Sequence, residues 1–273
     1  VGPFVFFDHF GPVDVPADAN HDVRPHPHIG LATVTYLFEG AMMHRDSLGS
    51  VQEIRPGAIN WMTAGRGIVH SERKPDTLRD ATYVNHGLQL WVALPQAHEE
   101  VEPSFVHTAA ADIPALEVQG VPVRVLVGEA FGVRSPVATL SQTVYLDVTL
   151  PAGGRFELPA LARELAVYPV DGDITLDGEP VAQHQMAMLA EGQGGVLAAQ
   201  GAVRLVVIGG EPLDGPRFIT WNFVSSRRER ILEAGADWAA QRMGQVPGET
   251  EFIPLPGHPF QVQQAADSGT TPV

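Results

Sequence analysis

The chain has no cysteine. That removes a disulfide framework, thiolate catalysis, an iron–sulfur cluster and any cysteine-ligated zinc site. It agrees with a reducing compartment, and a cytoplasmic location is the expectation. Positive charge is also scarce: 17 Lys and Arg stand against 32 Asp and Glu, for a formal net charge of −15. Phosphate contacts need a basic surface, so direct binding to nucleic acid is not expected. The basic cluster Arg227, Arg228 and Arg230 is interrupted by Glu229 and reads as the solvated start of a helix. Long apolar runs are missing too. Residues 203–210 are only strand length, so no membrane span is expected. Residue 1 is a valine, which leaves room for a lost start and a lost targeting segment.

What is present is turn chemistry and short apolar runs. The 273 residues include 23 Pro and 28 Gly, as a chain of many short strands requires. Hydrophobic content of 44% fits a globular protein with two modest cores. In residues 32–38, Ala32, Val34, Tyr36 and Phe38 fall on one face and Thr33, Thr35 and Leu37 on the other, before Glu39-Gly40 ends the run. Comparable runs are 59–62, 88–94, 121–127, 144–150, 165–170, 185–189 and 203–208. This pattern predicts a β-barrel or sandwich. One helix is expected near the end: Ser226 and Glu229 have capping-box spacing, Ile231, Ala234 and Trp238 share a face, and Gly244 and Pro247 stop it. The polar stretch 261–273 reads as a disordered tail.

Two short doublets carry the chemistry, His26-Pro27-His28 and His70-Ser71-Glu72. Alternate residues of a strand point to the same side, so each doublet can aim both side chains at one point. On neighbouring strands they would offer three imidazoles and a carboxylate, a set open to Fe(II), Mn(II) or Zn(II). A lone His-x-His more often caps a turn. Here the apolar pair Ile68-Val69 would embed the second doublet in a core, where unpartnered polar groups are costly. Pro27 lacks a backbone donor and belongs at a strand start, an edge or a bulge. His44 and Asp46 read as solvated loop residues, His9 as a structural hydrogen-bonder and His184 as surface. Trp61, Trp91 and Phe38 read as core first and pocket wall second.

A faint internal repeat relates the two halves. Tyr36 to Gly40 recurs as Tyr168 to Gly172, and Trp61 to Gly65 loosely as Ala187 to Ala190 with Gly192 behind. That alignment places Leu158 and Ala160 where His26 and His28 stand, and Leu197 and Ala199 near His70 and Glu72. The second half keeps the scaffold and loses the ligands.

The strings Asp8-His9-Phe10-Gly11-Pro12, His26-Pro27-His28-Ile29-Gly30, Thr33-Val34-Thr35-Tyr36-Leu37-Phe38-Glu39-Gly40 and Trp61-Met62-Thr63-Ala64-Gly65-Arg66-Gly67-Ile68-Val69-His70-Ser71-Glu72 resemble the pirin family of bicupins. Pro216-Arg217-Phe218 and Asn222-Phe223-Val224 extend the likeness to the closing helix. The resemblance implies an all-β fold of two stacked cupin (jelly-roll) barrels with a C-terminal helix. It implies a metal-binding barrel over 1–128, a ligand-free barrel with the closing helix over 129–245, and a tail over 246–273. It places the metal on His26, His28, His70 and Glu72, with Fe(II) first and Mn, Zn, Co or Ni also admissible. Ala32 stands where many family members have an acidic residue, which leaves Glu72 as the only carboxylate assigned to the metal.

By the same resemblance the expected activity is quercetin 2,3-dioxygenase-like. A small aromatic enol such as a flavonol would be opened with O2 and release carbon monoxide, and Glu72 would serve as the catalytic base. The rival is a metal- and redox-dependent regulatory protein that contacts a protein partner, a transcription factor or a metabolic enzyme. A third reading is a bicupin whose metal only ties strands together.

Overall fold

The computed structural model describes residues 1–19, 21–256 and 263–264. Apart from 263–264, the expected disordered tail 261–273 lies outside the described residues. No helix among the described residues is long and apolar enough to cross a membrane.

The first half forms nine strands: β1 (Phe4–Val15), β2 (Val23–His28), β3 (Leu31–Glu39), β4 (Met42–Asp46), β5 (Val51–Ile54), β6 (Ile59–Thr63), β7 (Ile68–Arg73), β8 (Tyr83–Ala93) and β9 (Ser104–Thr108). They make two antiparallel sheets of order β1-β8-β3-β6-β9 and β2-β7-β4-β5. Side chains of both sheets meet inside. Met62, Ala64 and Ile68 form one apolar cluster with Phe105 against it, and Leu37, Ile54 and Ala58 form another.

The other half repeats the core of this plan, with the two further strands Ala115–Val118 and Val121–Val127 extending its larger sheet beyond Thr143–Leu150. Its sheets run Thr143–Leu150, Val203–Gly210, Glu164–Pro169, Ala187–Met188 and Arg155–Leu158, Gly195–Ala198, Ile174–Leu176, Glu179–Val181 in hydrogen-bonded order. Each unit has its own ladder register. His26 faces His70 in the first unit, and Phe156 faces Leu197 in the second. With Leu197 set at the place of His70, the ladder puts Phe156 and Leu158 at the places of His26 and His28; with Leu158 and Ala160 there instead, the places are again apolar. The connection over 159–163 is longer than that over 29–30. Ala199 then falls at the place of Glu72. Phe156, Leu158, Leu197 and Ala199 are buried in the apolar core of that unit.

The chain divides into two compact units. One compact unit is Val5–Ala110 together with Asp214–Val273, and the other is Val1–Phe4 with Ala111–Leu213. The closing helix α1 (Arg228–Ala239) therefore belongs to the first unit. The reason is apolar burial: Ile231, Ala234 and Trp238 form one cluster with Ile29, Val69 and Phe223. Each fully buried large side chain there contributes about 1.5–3 kcal/mol. Gly30 makes the close approach feasible. It has φ +68°, and a Cβ on it would lie 1.9 Å from the Val224 carbonyl oxygen.

The capping box does not form. Arg227 is the N-cap and makes no side-chain cap bond. The Ser226 hydroxyl instead donates to the buried Glu99 carboxylate at 2.9 Å, and Ser225 does so at 3.1 Å. Glu99 is also paired with Arg217 at 2.8 Å and accepts from the Ser226 backbone, so the hydroxyl completes a buried network in place of a solvated cap. The helix stops at Ala239, ahead of Gly244.

Candidate metal centre

Strand β2 is the edge of its sheet and pairs antiparallel with β7, with a register shift between Val23 and His26. An edge with an irregular ladder is where Pro27 can sit without losing a bond. His26 lies directly opposite His70, and His28 opposite Ile68. The ring centroids of the three histidines are 4.3 Å (26–70), 5.0 Å (26–28) and 5.0 Å (28–70) apart. Each offers a ligand nitrogen within 4.8 Å of the others. All three are buried, His70 at 1% exposure.

Their nitrogens are prepared for a cation. His26 Nδ1 donates to the Arg24 carbonyl at 2.9 Å, which leaves Nε2 with its lone pair. His28 Nδ1 and both ring nitrogens of His70 have no hydrogen-bond partner. Burial pushes His26 down to about 4, against the Arg24 carbonyl, which raises it. Burial, followed by the neighbouring imidazoles, holds His28 and His70 well below the usual range. At neutral pH all three are uncharged Lewis bases. An orphaned buried acceptor costs about 1–3 kcal/mol, and a divalent ion bound among the three would remove that cost. The residues present therefore fit a metal.

Glu72 stands apart from this set. It is half-buried, two residues beyond His70 on β7, and lies outside the group of donor atoms within 4.8 Å. Its Oε1 accepts from Gln89 Nε2 at 2.8 Å, and Gln89 in turn accepts from the Thr35 hydroxyl at 2.6 Å. Burial raises the Glu72 carboxyl to about 7, the Gln89 bond opposes this, and the charge of Asp8 adds to it.

Two polar residues expected in a solvated loop are buried beside the histidines. His44 and Asp46 on β4 are 5% and 1% exposed. Asp46 pairs with His70 across the β4–β7 ladder, and His44 pairs with Glu72. Directly paired residues share a face. His44 Nε2 donates to Asp46 Oδ2 at 2.9 Å. Asp46 Oδ1 accepts from the backbone of Leu48 at 2.9 Å and Ser50 at 3.0 Å. Burial acts to raise the Asp46 carboxyl, but the bonds from His44 and Ser50 outweigh it and hold it below its ordinary value. The signal was present in the sequence: His44-Arg45-Asp46 has the same alternation as the two doublets.

On the other side of β7 the interleaved residues are clamped. Ser71 donates to Glu249 Oε1 at 2.6 Å, and Arg73 Nε donates to Glu249 Oε2 at 3.1 Å. Trp91 borders the centre, edge-on to His28 at 5.3 Å and stacked on half-exposed Phe6 at 4.3 Å. Trp61 instead donates to Thr63, and Phe38 meets Tyr36 and His86. His9 bonds His86 at 2.8 Å, the structural role expected. His184 is exposed, with Nε2 at 2.9 Å from the Val170 carbonyl.

Comparison with known proteins identifies relatives along most of the chain. Residues 1–92 match the Pirin family and residues 145–244 match the Pirin C-terminal cupin domain. A pirin-like protein of Caulobacter vibrioides is 48% identical over 263 residues, 94% of this chain and 90% of its own. Human pirin is 36% identical over 89% of this chain and 83% of its own. A crystal structure of quercetin 2,3-dioxygenase from Acinetobacter baumannii superposes with a TM-score of 0.89 at 35% identity, covering 97% of this chain and 89% of the other.

Proposed function

The chain belongs to the pirin family, and from that premise we propose that it is a mononuclear-metal dioxygenase of quercetin 2,3-dioxygenase type. The proposed metal is iron, held by His26, His28 and His70 with Glu72 as the added carboxylate, and the substrate is a flavonol-like enol. The observation that carries this reading is the cluster of three buried, uncharged imidazoles whose nitrogens converge. The likeness to the Acinetobacter enzyme supports the reaction class.

When bound, the ion supplies Lewis acidity toward the enol oxygen and a place for O2 beside it. The chain's own residues do the rest. Glu72, with its carboxyl near 7, accepts the proton of the enol hydroxyl as the substrate seats. Gln89 holds Oε1 and so leaves Oε2 to receive that proton. Trp91, edge-on to His28 at 5.3 Å, offers an aromatic wall beside the centre for a planar substrate. Burial of the histidines keeps bulk water away from the reacting oxygen.

The test is anaerobic loading with Fe(II), then addition of oxygen and quercetin, with flavonol absorbance and carbon monoxide followed together. Loss of the flavonol band with stoichiometric carbon monoxide is the expected result. No turnover with iron, manganese, cobalt or nickel overturns the enzyme reading and turns attention to a metal-dependent regulatory partner.

A further inference from the structure

Metal-bound histidines ordinarily donate their second ring nitrogen to a carboxylate or a carbonyl, which fixes the ring. His26 does this through Arg24. His70 does not, since neither of its ring nitrogens has a hydrogen-bond partner. Something else must set its orientation, because a free imidazole rotates about χ2.

The neighbouring ring is His44. Its centroid lies 5.3 Å from that of His70, with the planes tilted by 35°. On its far side His44 stacks on Phe105 at 4.1 Å with only 8° between planes. The bond to Asp46 fixes the in-plane rotation of the His44 ring, and Asp46 is itself fixed by two backbone donors. His70 is thus backed by a plate that can neither slide nor turn.

The second unit offers an internal control. There Leu176 pairs with Leu197, as Asp46 pairs with His70. Ile174 and Leu176, the residues of that strand packed into its core, are both apolar. Where Phe156, Leu158 and Leu197 replace the three imidazoles, the strand beside them faces the core with apolar residues as well. The pair goes with the metal residues and not with the barrel.

We infer that His44, locked by Asp46 and Phe105, is the positioning residue for His70, replacing by ring contact the hydrogen bond that a ligand histidine normally makes. This rests on the metal reading above. It takes His44 as a shape that holds a ligand, not as a ligand, because its Nε2 is committed to Asp46.

The experiment uses Co(II), whose d–d absorption reports ligand geometry independently of turnover. In the full chain, His44→Ala should weaken Co(II) about 10- to 100-fold, the range for losing an orienting partner, and should broaden and shift the d–d bands. The metal-free protein should keep its circular-dichroism spectrum. If His44→Ala does not fold, His44→Gln, which retains bulk without a ring, carries the same expectation. His44→Phe combined with Asp46→Asn keeps a flat ring and the Leu48 and Ser50 bonds, and should recover most of the affinity and the band shape. Unchanged Co(II) affinity and spectrum in the ring-less variants overturn the inference, and so does failure of the Phe–Asn pair to recover binding. If the unaltered chain takes up no Co(II), the metal reading itself falls, a result distinct from either of these.

Discussion

Gln89 donates to Glu72 across the interior of the first barrel, sheet to sheet, at 2.8 Å. This bond lowers a carboxyl that burial has raised to about 7. Gln89→Leu removes the opposing influence, so the Glu72 carboxyl should rise further. A base works only when ionised, so the acid limb of the kcat/KM profile should move to higher pH. A limb that stays in place removes Glu72 from the proton transfer.

Glu72→Gln separates ligand from base. With the three imidazoles untouched, metal should remain bound while turnover drops about 10²- to 10⁴-fold, the usual contribution of a positioned base. Metal content by mass spectrometry and flavonol turnover on one sample decide it. Retained activity would leave the carboxylate as charge balance alone.

The metal-free protein should lose stability in acid, in a window set by the histidines. Above the ordinary imidazole value of 6.5, folded and unfolded chains are both neutral at these sites, so stability is at its full level. As the pH falls below 6.5 the unfolded chain takes up protons that the folded one refuses, and stability is lost until His26 protonates near 4. His26 alone accounts for roughly 3 kcal/mol over that interval, with His28 and His70 adding in the same direction. Urea midpoints from pH 8 to pH 4 check this. A His26→Gln variant with the same acid slope would contradict it.

Trp238→Ala empties a site that is 1% exposed beside Ile29 and Val69, the chain neighbours of His28 and His70. It also removes the 2.9 Å bond from the indole to the Ile253 carbonyl. The expected cost is about 3–5 kcal/mol, read as a lower thermal midpoint together with weaker metal uptake. A normal midpoint would mean that α1 is not integral to the metal-binding unit.

Trp91→Ala should raise KM for a planar aromatic substrate more than it lowers kcat, because the ring is offered as a wall and not to the reacting atoms. An aromatic contact of about 0.5–1.5 kcal/mol corresponds to a several-fold change, and Trp91→Phe should restore most of it. Equal loss in both parameters would place Trp91 in the chemistry.

The three imidazoles were legible because strand alternation is local: His26, His28 and His70 need only the two-residue period and an antiparallel neighbour. The edge position of β2 was legible in Pro27 for the same reason. The roles of His44 and Asp46 were not. Their burial depends on the hairpin of β4 with β5 laying them against β7, a contact their own neighbours in sequence do not announce. Ser226 misled in a similar way, since its spacing to Glu229 is right for a cap while a carboxylate 127 positions away takes its hydroxyl. The repeat was visible in Tyr36 and Tyr168, and the strand Arg155–Leu158 with its partner Gly195–Ala198 carries no metal-ligand pair in the second unit.

The two-segment make-up of the metal-binding unit has a consequence for biosynthesis. As the chain leaves the ribosome, His26, His28 and His70 emerge early, but Trp238 and Glu249, which cover and clamp their strands, come only after the whole of 111–213 has been made. A nascent chain thus carries the three imidazoles long before it can hold them still. Premature termination between residues 71 and 213 would yield a product with all three imidazoles and no clamp, so tight metal retention would double as a report that translation has run past the helix.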